Sequence, residues 1–132
     1  MRFDLIDRVV EQDADRLVAV KAVSVAEEYL ADHFPGFAVL PGVMMLESLV
    51  QGGRALLADR ADGQPLVLAE AKNVRYGRMV RPGQHLRVEV SLRKQTAHGW
   101  QLEGKGTVAD QPAVQARIVL EPLARQLDTA GN

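Results

Sequence analysis

Apolar and polar residues alternate along several stretches of this chain. In residues 85–96, Leu86, Val88 and Val90 alternate with charged or polar neighbours, which is typical of a β-strand with one buried and one solvated face. Similar segments predict further strands at residues 3–11, 16–23, 66–76, 99–109 and 113–121. Residues typical of turns separate these strands at 12–15, 62–65, 98–99 and 112.

A different period begins at Pro41, which can open a helix because its missing N–H would be unpaired in a first turn. The apolar run behind it continues to about Asp59 and covers most sides of a helical wheel, so we expect a largely buried helix. Its apolar-face residues are Val43, Met44, Leu46, Leu49, Val50, Gly53, Leu56 and Leu57. Glu47, Gln51 and Arg54 share one polar stripe at i, i+4 and i+7.

A second, shorter helix is predicted before this one. Residues 24–27 read Ser-Val-Ala-Glu, which has the form of a capping box, and the helix is expected to run to about Ala31. Strands on both sides of one long helix, with no internal repeat, indicate a single α+β domain over residues 1–132. Residues 123–132 carry no convincing pattern and are expected to fray.

The composition excludes several classes of protein. With 47% apolar and 25% charged residues, the chain resembles an ordinary soluble protein. It contains no cysteine, so disulfides and thiol nucleophiles are excluded. The longest apolar run, residues 37–46, is too short to span a bilayer and is interrupted by Pro41 and Gly42. The first residues do not form a signal peptide, so we expect a cytoplasmic protein without membrane contact.

The net charge is −1, yet the middle of the chain is basic, because residues 62–108 contain eight Lys or Arg and four Asp or Glu. Four of these basic residues cluster before a Pro-Gly turn: Lys72, Arg75, Arg78 and Arg81. Two interpretations are open, a docking surface for an acidic partner or a solvated strand end. Nucleic acid is not expected, because the total charge is slightly negative and the basic residues lack interleaved aromatic residues for stacking.

Two side chains suited to proton transfer flank the start of the long helix. His33 precedes it in an irregular segment that contains two Pro-Gly pairs, and Glu47 lies inside it next to Met44, Met45 and Leu46. Burial there would favour the neutral carboxyl, the form that donates a proton. Two structural interpretations remain open: Arg54 ties the carboxylate down, and His33 is a structural residue beside Phe and Pro.

The spacing of this region is more specific than either residue alone. His-Phe-Pro-Gly at residues 33–36 is followed by Pro-Gly-Val at 41–43, by Glu47 and by Gln51. This pattern resembles that of FabZ-type 3-hydroxyacyl-acyl carrier protein dehydratases, and the resemblance extends to Asp-Arg-Val at residues 7–9 and Val-Arg-Pro-Gly at 80–83. It implies a hot-dog fold, in which an antiparallel sheet wraps a long helix, with active sites at a dimer interface.

The same resemblance implies roles for individual residues. His33 would be the base at C2 of a 3-hydroxyacyl thioester, and Glu47 of the other subunit would be the acid at C3. The backbone N–H groups of Gly42 or Val43, at the helix N-terminus, are suited to polarise the thioester carbonyl. Gln51 either hydrogen-bonds Glu47 or its water, or fills a polar gap in the helix packing.

The reaction implied needs no metal and no organic cofactor, and the three scattered histidines do not have the spacing of a zinc site. The partners implied are an acyl carrier protein and a second copy of the chain, in a homodimer or a trimer of such dimers. Two alternatives from other classes are kept: a hot-dog acyl thioesterase, in which Glu47 activates water, and a non-catalytic protein that binds acyl chains or acyl carrier protein.

Overall fold

One helix and six antiparallel strands make up the part of the chain that the computed structural model describes, residues 6–23 and 42–124. The elements are β1 (Arg8–Gln12), β2 (Arg16–Ala22), α1 (Gly42–Leu57), β3 (Leu66–Tyr76), β4 (His85–Gln95), β5 (Trp100–Val108) and β6 (Gln111–Pro122). The α+β class and all six strands are confirmed, with bounds shifted by a few residues. The short helix predicted at 24–31 lies outside the described residues, as does most of the tail predicted to fray.

The strands pair in the order β1-β2-β4-β5-β6-β3. Sequential hairpins account for β1–β2, β4–β5 and β5–β6, whereas β3 passes its sequence neighbour β4 and pairs with the last strand, β6. This crossover places β3, the first strand after the helix, beside β6, the last strand of the sheet. No helix among residues 6–23 and 42–124 is long and apolar enough to cross a membrane.

α1 packs against one face of the sheet, and glycines allow the close approach. A Cβ at Gly53 would lie 2.9 Å from Leu120 Cδ1, and a Cβ at Gly104 would lie 3.1 Å from Leu49 Cδ1. The prediction that small residues in β5 let the helix approach the sheet is therefore confirmed for Gly104. On the opposite side of α1, Val43 is 66% exposed.

The β5–β6 connection differs from the prediction. The turn is formed by Ala109 and Asp110, which both have positive φ (48° and 63°). A two-residue turn of this kind matches the right-handed twist of the two strands that it joins. Pro112, expected in this turn, is instead the second residue of β6 and pairs with Thr107 beside a register shift. A proline fits there because the pairing of β5 and β6 is already irregular, so its missing N–H costs few hydrogen bonds between the strands.

The two ends of α1 are fixed by contacts with different strands. At its N-terminus, the ring of Tyr76, the last residue of β3, lies against Gly42. Beyond its C-terminus, Arg60 Nη2 donates to the carbonyl of Ala14 (3.0 Å) and to Asp15 Oδ1 (3.1 Å), which joins the helix end to the β1–β2 hairpin. The helix axis is therefore defined relative to both edges of the sheet.

Candidate active site

Glu47 lies on the side of α1 that faces away from the sheet. Met45 is buried in the core. Residues two positions apart lie on nearly opposite faces of a helix, and the Glu47 side chain is accordingly 40% exposed. Met44 and Leu46 are themselves only half-buried, so these described neighbours shield the carboxyl less than the sequence predicts. Any further shielding must come from outside the described residues.

Arg54 holds the Glu47 carboxylate. Its Nη1 donates to Glu47 Oε1 at 3.3 Å, and its Nε donates to the carbonyl oxygen of Leu66 at 2.8 Å. The contact left open by the sequence, a cation that ties Glu47 down, is therefore present. Gln51 is half-buried on the same stripe, one turn beyond Glu47, and its proposed role at the site stays a prediction.

Gly42 and Val43 form the first positions of α1, as the sequence predicts. A Cβ added at Gly42 would lie 3.1 Å from Tyr76 Cε1, so the aromatic ring covers the backbone at the helix N-terminus. Tyr76 is not among the candidate residues that the sequence indicates. The only local signal is an aromatic residue at the end of a predicted strand, and its contact with Gly42 depends on the strand order.

His33 and Pro41 lie outside the described residues, so the pairing of His33 with Glu47 remains a prediction. Within residues 6–23 and 42–124, no group of three or more His, Asp or Glu side chains is arranged to hold a metal ion.

The basic cluster is divided between two surfaces. Arg78 and Arg81 line one groove of about 840 Å³, together with Met79 and the β5–β6 hairpin. Arg75 instead lines a second groove of about 320 Å³ on the sheet, where Arg93 and Arg117 also lie. Lys72 makes an ion pair with Glu70, with 3.2 Å between Nζ and Oε1. The four basic residues therefore do not line a single groove.

A long helix packed on a six-stranded antiparallel sheet defines the class of this protein, an α+β protein of the hot-dog type. Solved structures share the fold. The dehydratase heterocomplex ApeI:P from Xenorhabdus doucetiae matches with a TM-score of 0.81 and 17% identity, over 98% of this chain and 90% of that one. A hypothetical thioesterase with coenzyme A from Streptococcus pneumoniae matches with a TM-score of 0.69 and 9% identity, over 87% and 84%.

Sequence comparison is more specific than the fold. The model of the FabA-like domain family matches residues 1–117. The 3-hydroxyacyl-[acyl-carrier-protein] dehydratase FabZ of Coxiella burnetii is 39% identical over 123 residues, which cover 89% of this chain and 87% of the relative. FabZ of Chloroflexus aggregans is 39% identical over 120 residues, covering 89% and 83%. The chain belongs to the FabA-like family.

Proposed function

We propose that this chain is a hydro-lyase that converts 3-hydroxyacyl thioesters, carried on acyl carrier protein, to trans-2-enoyl thioesters in fatty acid or related acyl-chain biosynthesis. The observation that carries the proposal is the 39% identity to a FabZ dehydratase over 89% of this chain, with Glu47 on α1 at the position where the motif places the acid. The likeness to the hypothetical thioesterase, at 9% identity, extends to the fold alone.

The chemistry requires a base and an acid. His33 takes the proton from C2 while Glu47, directly or through a water, gives a proton to the C3 hydroxyl; the C3–O bond breaks, the C2=C3 double bond forms and water leaves. Each positioned proton transfer contributes about 10²–10⁴-fold in rate. The N–H groups of Gly42 or Val43 stabilise the negative charge that develops on the thioester oxygen. No redox step occurs, so the reaction needs no cofactor.

A second copy of the chain supports this chemistry. The β3 edge carries exposed apolar residues, including Leu68, Val74 and Tyr76, and Val43 is exposed beside it. Such an edge is a template for pairing with another strand. A homodimer built there would cover the open side of α1 and bring the partner subunit's His33 to Glu47. A trimer of these dimers is a further assembly open to the same chain.

The acyl carrier protein is the proposed macromolecular partner, met in the cytoplasm. Because acyl carrier proteins are acidic, basic side chains provide complementary charge. Arg78 and Arg81, which line one groove, form the centre of the proposed docking surface. Lys72 and Arg75 lie further along β3 and extend it with weaker contributions.

One incubation tests the function. The purified protein is mixed with a 3-hydroxyacyl thioester of acyl carrier protein or pantetheine, and enoyl absorbance and free thiol are followed together. Enoyl product supports the proposal, free thiol indicates a thioesterase, and neither indicates a binding protein. His33→Ala and Glu47→Gln, each checked for folding by circular dichroism, are expected to lose at least 100-fold in kcat. Normal turnover by either folded variant would overturn the assignment of that residue.

A further inference from the structure

The contact between Arg54 and Glu47 spans two turns of α1. Ordinary ion pairs on a helix join residues three or four apart, whereas seven positions correspond to about 10.5 Å of helix rise. An arginine can cross this distance only when its side chain is extended along the helix. The 3.3 Å contact between Nη1 and Oε1 therefore requires Arg54 to adopt one restricted orientation.

A third group fixes that orientation. Arg54 Nε donates to the carbonyl oxygen of Leu66 at 2.8 Å, and Leu66, the first residue of β3, is buried. The guanidinium group is planar and presents its N–H donors in fixed directions. Because Nε is held by a backbone carbonyl that belongs to the sheet, the remaining N–H groups are aimed at Glu47 by the fold itself.

Stability does not explain the arrangement. Both side chains of the pair are 40% exposed, and ion pairs this accessible contribute little to stability. The contact with Arg54 instead restricts the Glu47 side chain, because a glutamate on an exposed helix surface otherwise samples several rotamers. Arg54 donates to Oε1 of Glu47. In the protonated carboxyl, the form that donates at C3, Oε1 would be the carbonyl oxygen that accepts from Arg54, and Oε2 would carry the proton that is transferred.

We propose that Arg54 is a positioning residue that holds Glu47 in the orientation required for proton donation at C3, by bridging it to the Leu66 carbonyl. The inference rests on the proposed dehydratase function and adds to it a residue outside the acid–base pair. A catalytic group misplaced by about 1 Å can lose roughly 100-fold in rate. Loss of the bridge is therefore expected to reduce turnover while substrate binding is retained.

Arg54→Ala is the direct test, measured with a 3-hydroxyacyl-pantetheine thioester to exclude carrier docking. We expect kcat to fall about 10- to 100-fold with KM within about twofold of wild type. Arg54→Lys keeps the charge but lacks the planar pair of donors, so it should recover only part of the loss. In a Glu47→Gln background, single-turnover rates should change less than about twofold on adding Arg54→Ala, because the two residues act as one unit.

Arg60→Ala is the matched control. Arg60 also contacts one backbone carbonyl and one carboxylate, those of Ala14 and Asp15, and its side chain is also 40% exposed. It lies three residues beyond the C-terminal end of α1 and contacts the β1–β2 hairpin instead of Glu47. If both substitutions lower kcat equally, or if kcat survives Arg54→Ala, the positioning role is overturned. If the wild-type protein forms no enoyl product, the proposed function is wrong, and the role of Arg54, which depends on it, is wrong as well.

Discussion

The aromatic ring of Tyr76 lies against the backbone of Gly42, where the last residue of β3 meets the first residue of α1. The contact connects the exposed edge of the sheet to the helix N-terminus at which we place the thioester carbonyl. Tyr76 is 52% exposed, so its ring can move. The position of this ring and the accessibility of the N–H groups are therefore coupled.

Gly42→Ala tests that coupling. The new Cβ would lie 3.1 Å from Tyr76 Cε1, so the ring must shift by a few tenths of an ångström, which a half-exposed side chain can do without unfolding the protein. We expect the free energy of unfolding to change by less than about 1 kcal/mol and kcat to fall about tenfold. Tyr76→Phe keeps the ring and is the control. Unchanged kcat in Gly42→Ala would show that the substrate does not approach this backbone.

Co-expression of inactive variants tests the shared site. If His33 and Glu47 meet only across subunits, a mixed dimer of His33→Ala and Glu47→Gln chains has one site with both wild-type groups and one with neither. Random pairing makes about half of the dimers mixed, so activity should recover to about one quarter of wild type. Purified mixed dimers that remain inactive would contradict the shared site, provided that both parents dimerise normally.

Charge reversal tests the docking surface. Arg78→Glu combined with Arg81→Glu should raise KM for a carrier-bound substrate about tenfold or more and leave KM for a pantetheine substrate unchanged, and high salt should reduce the difference. Lys72→Glu with Arg75→Glu should have a smaller effect, since these residues lie outside the groove. Arg87→Glu, at an exposed position of β4, is the control. Equal effects on both substrates would show that these residues form only a solvated surface.

The ion pair of Arg16 and Glu89 predicts a dependence of stability on pH. Arg16 Nε donates to Glu89 Oε1 at 2.9 Å, and this hydrogen bond lowers the pKa of Glu89, opposed by partial burial of the carboxyl. The folded state therefore binds this proton less readily than the unfolded state, and the stabilisation is present above the ordinary glutamate pKa and lost as pH falls below it.

Glu89→Gln should consequently lose less stability than wild type between about pH 5 and pH 3, as measured by urea unfolding at each pH. Arg16→Gln removes the cause of the shift and should flatten the pH dependence in the same way. Parallel curves for wild type and both variants would show that the pair does not contribute to acid sensitivity.

The β5–β6 hairpin offers a test of backbone strain. Ala109 has φ of 48°, a conformation that costs L-residues other than glycine and asparagine about 1–2 kcal/mol. Ala109→Asn should therefore raise the free energy of unfolding by about 0.5–1 kcal/mol, and Ala109→Val should lower it, because a β-branched residue fits this conformation poorly. Chemical unfolding of the three proteins checks the order. An Asn variant no more stable than wild type would contradict it.

The sequence by itself determined the secondary structure and the polar stripe of α1. Strand alternation and helix periodicity are local, since side chains two apart share a strand face and those three or four apart share a helix face. For this reason the six strands, the long helix and the candidate contact between Arg54 and Glu47 could be predicted. The assignment of Glu47 as the acid came from a motif, which also depends on local spacing.

Tertiary structure decided which separate segments meet. Periodicity indicates the face on which a side chain lies but not the neighbouring strand, so the pairing of β3 with β6 could not be predicted from the pattern. That pairing brings Tyr76 to Gly42 and Leu66 to Arg54, and Arg75 and Arg78 line different grooves. The 40% exposure of the Glu47 side chain was decided in the same way, because the sheet covers only one side of α1 and Glu47 lies on the other side.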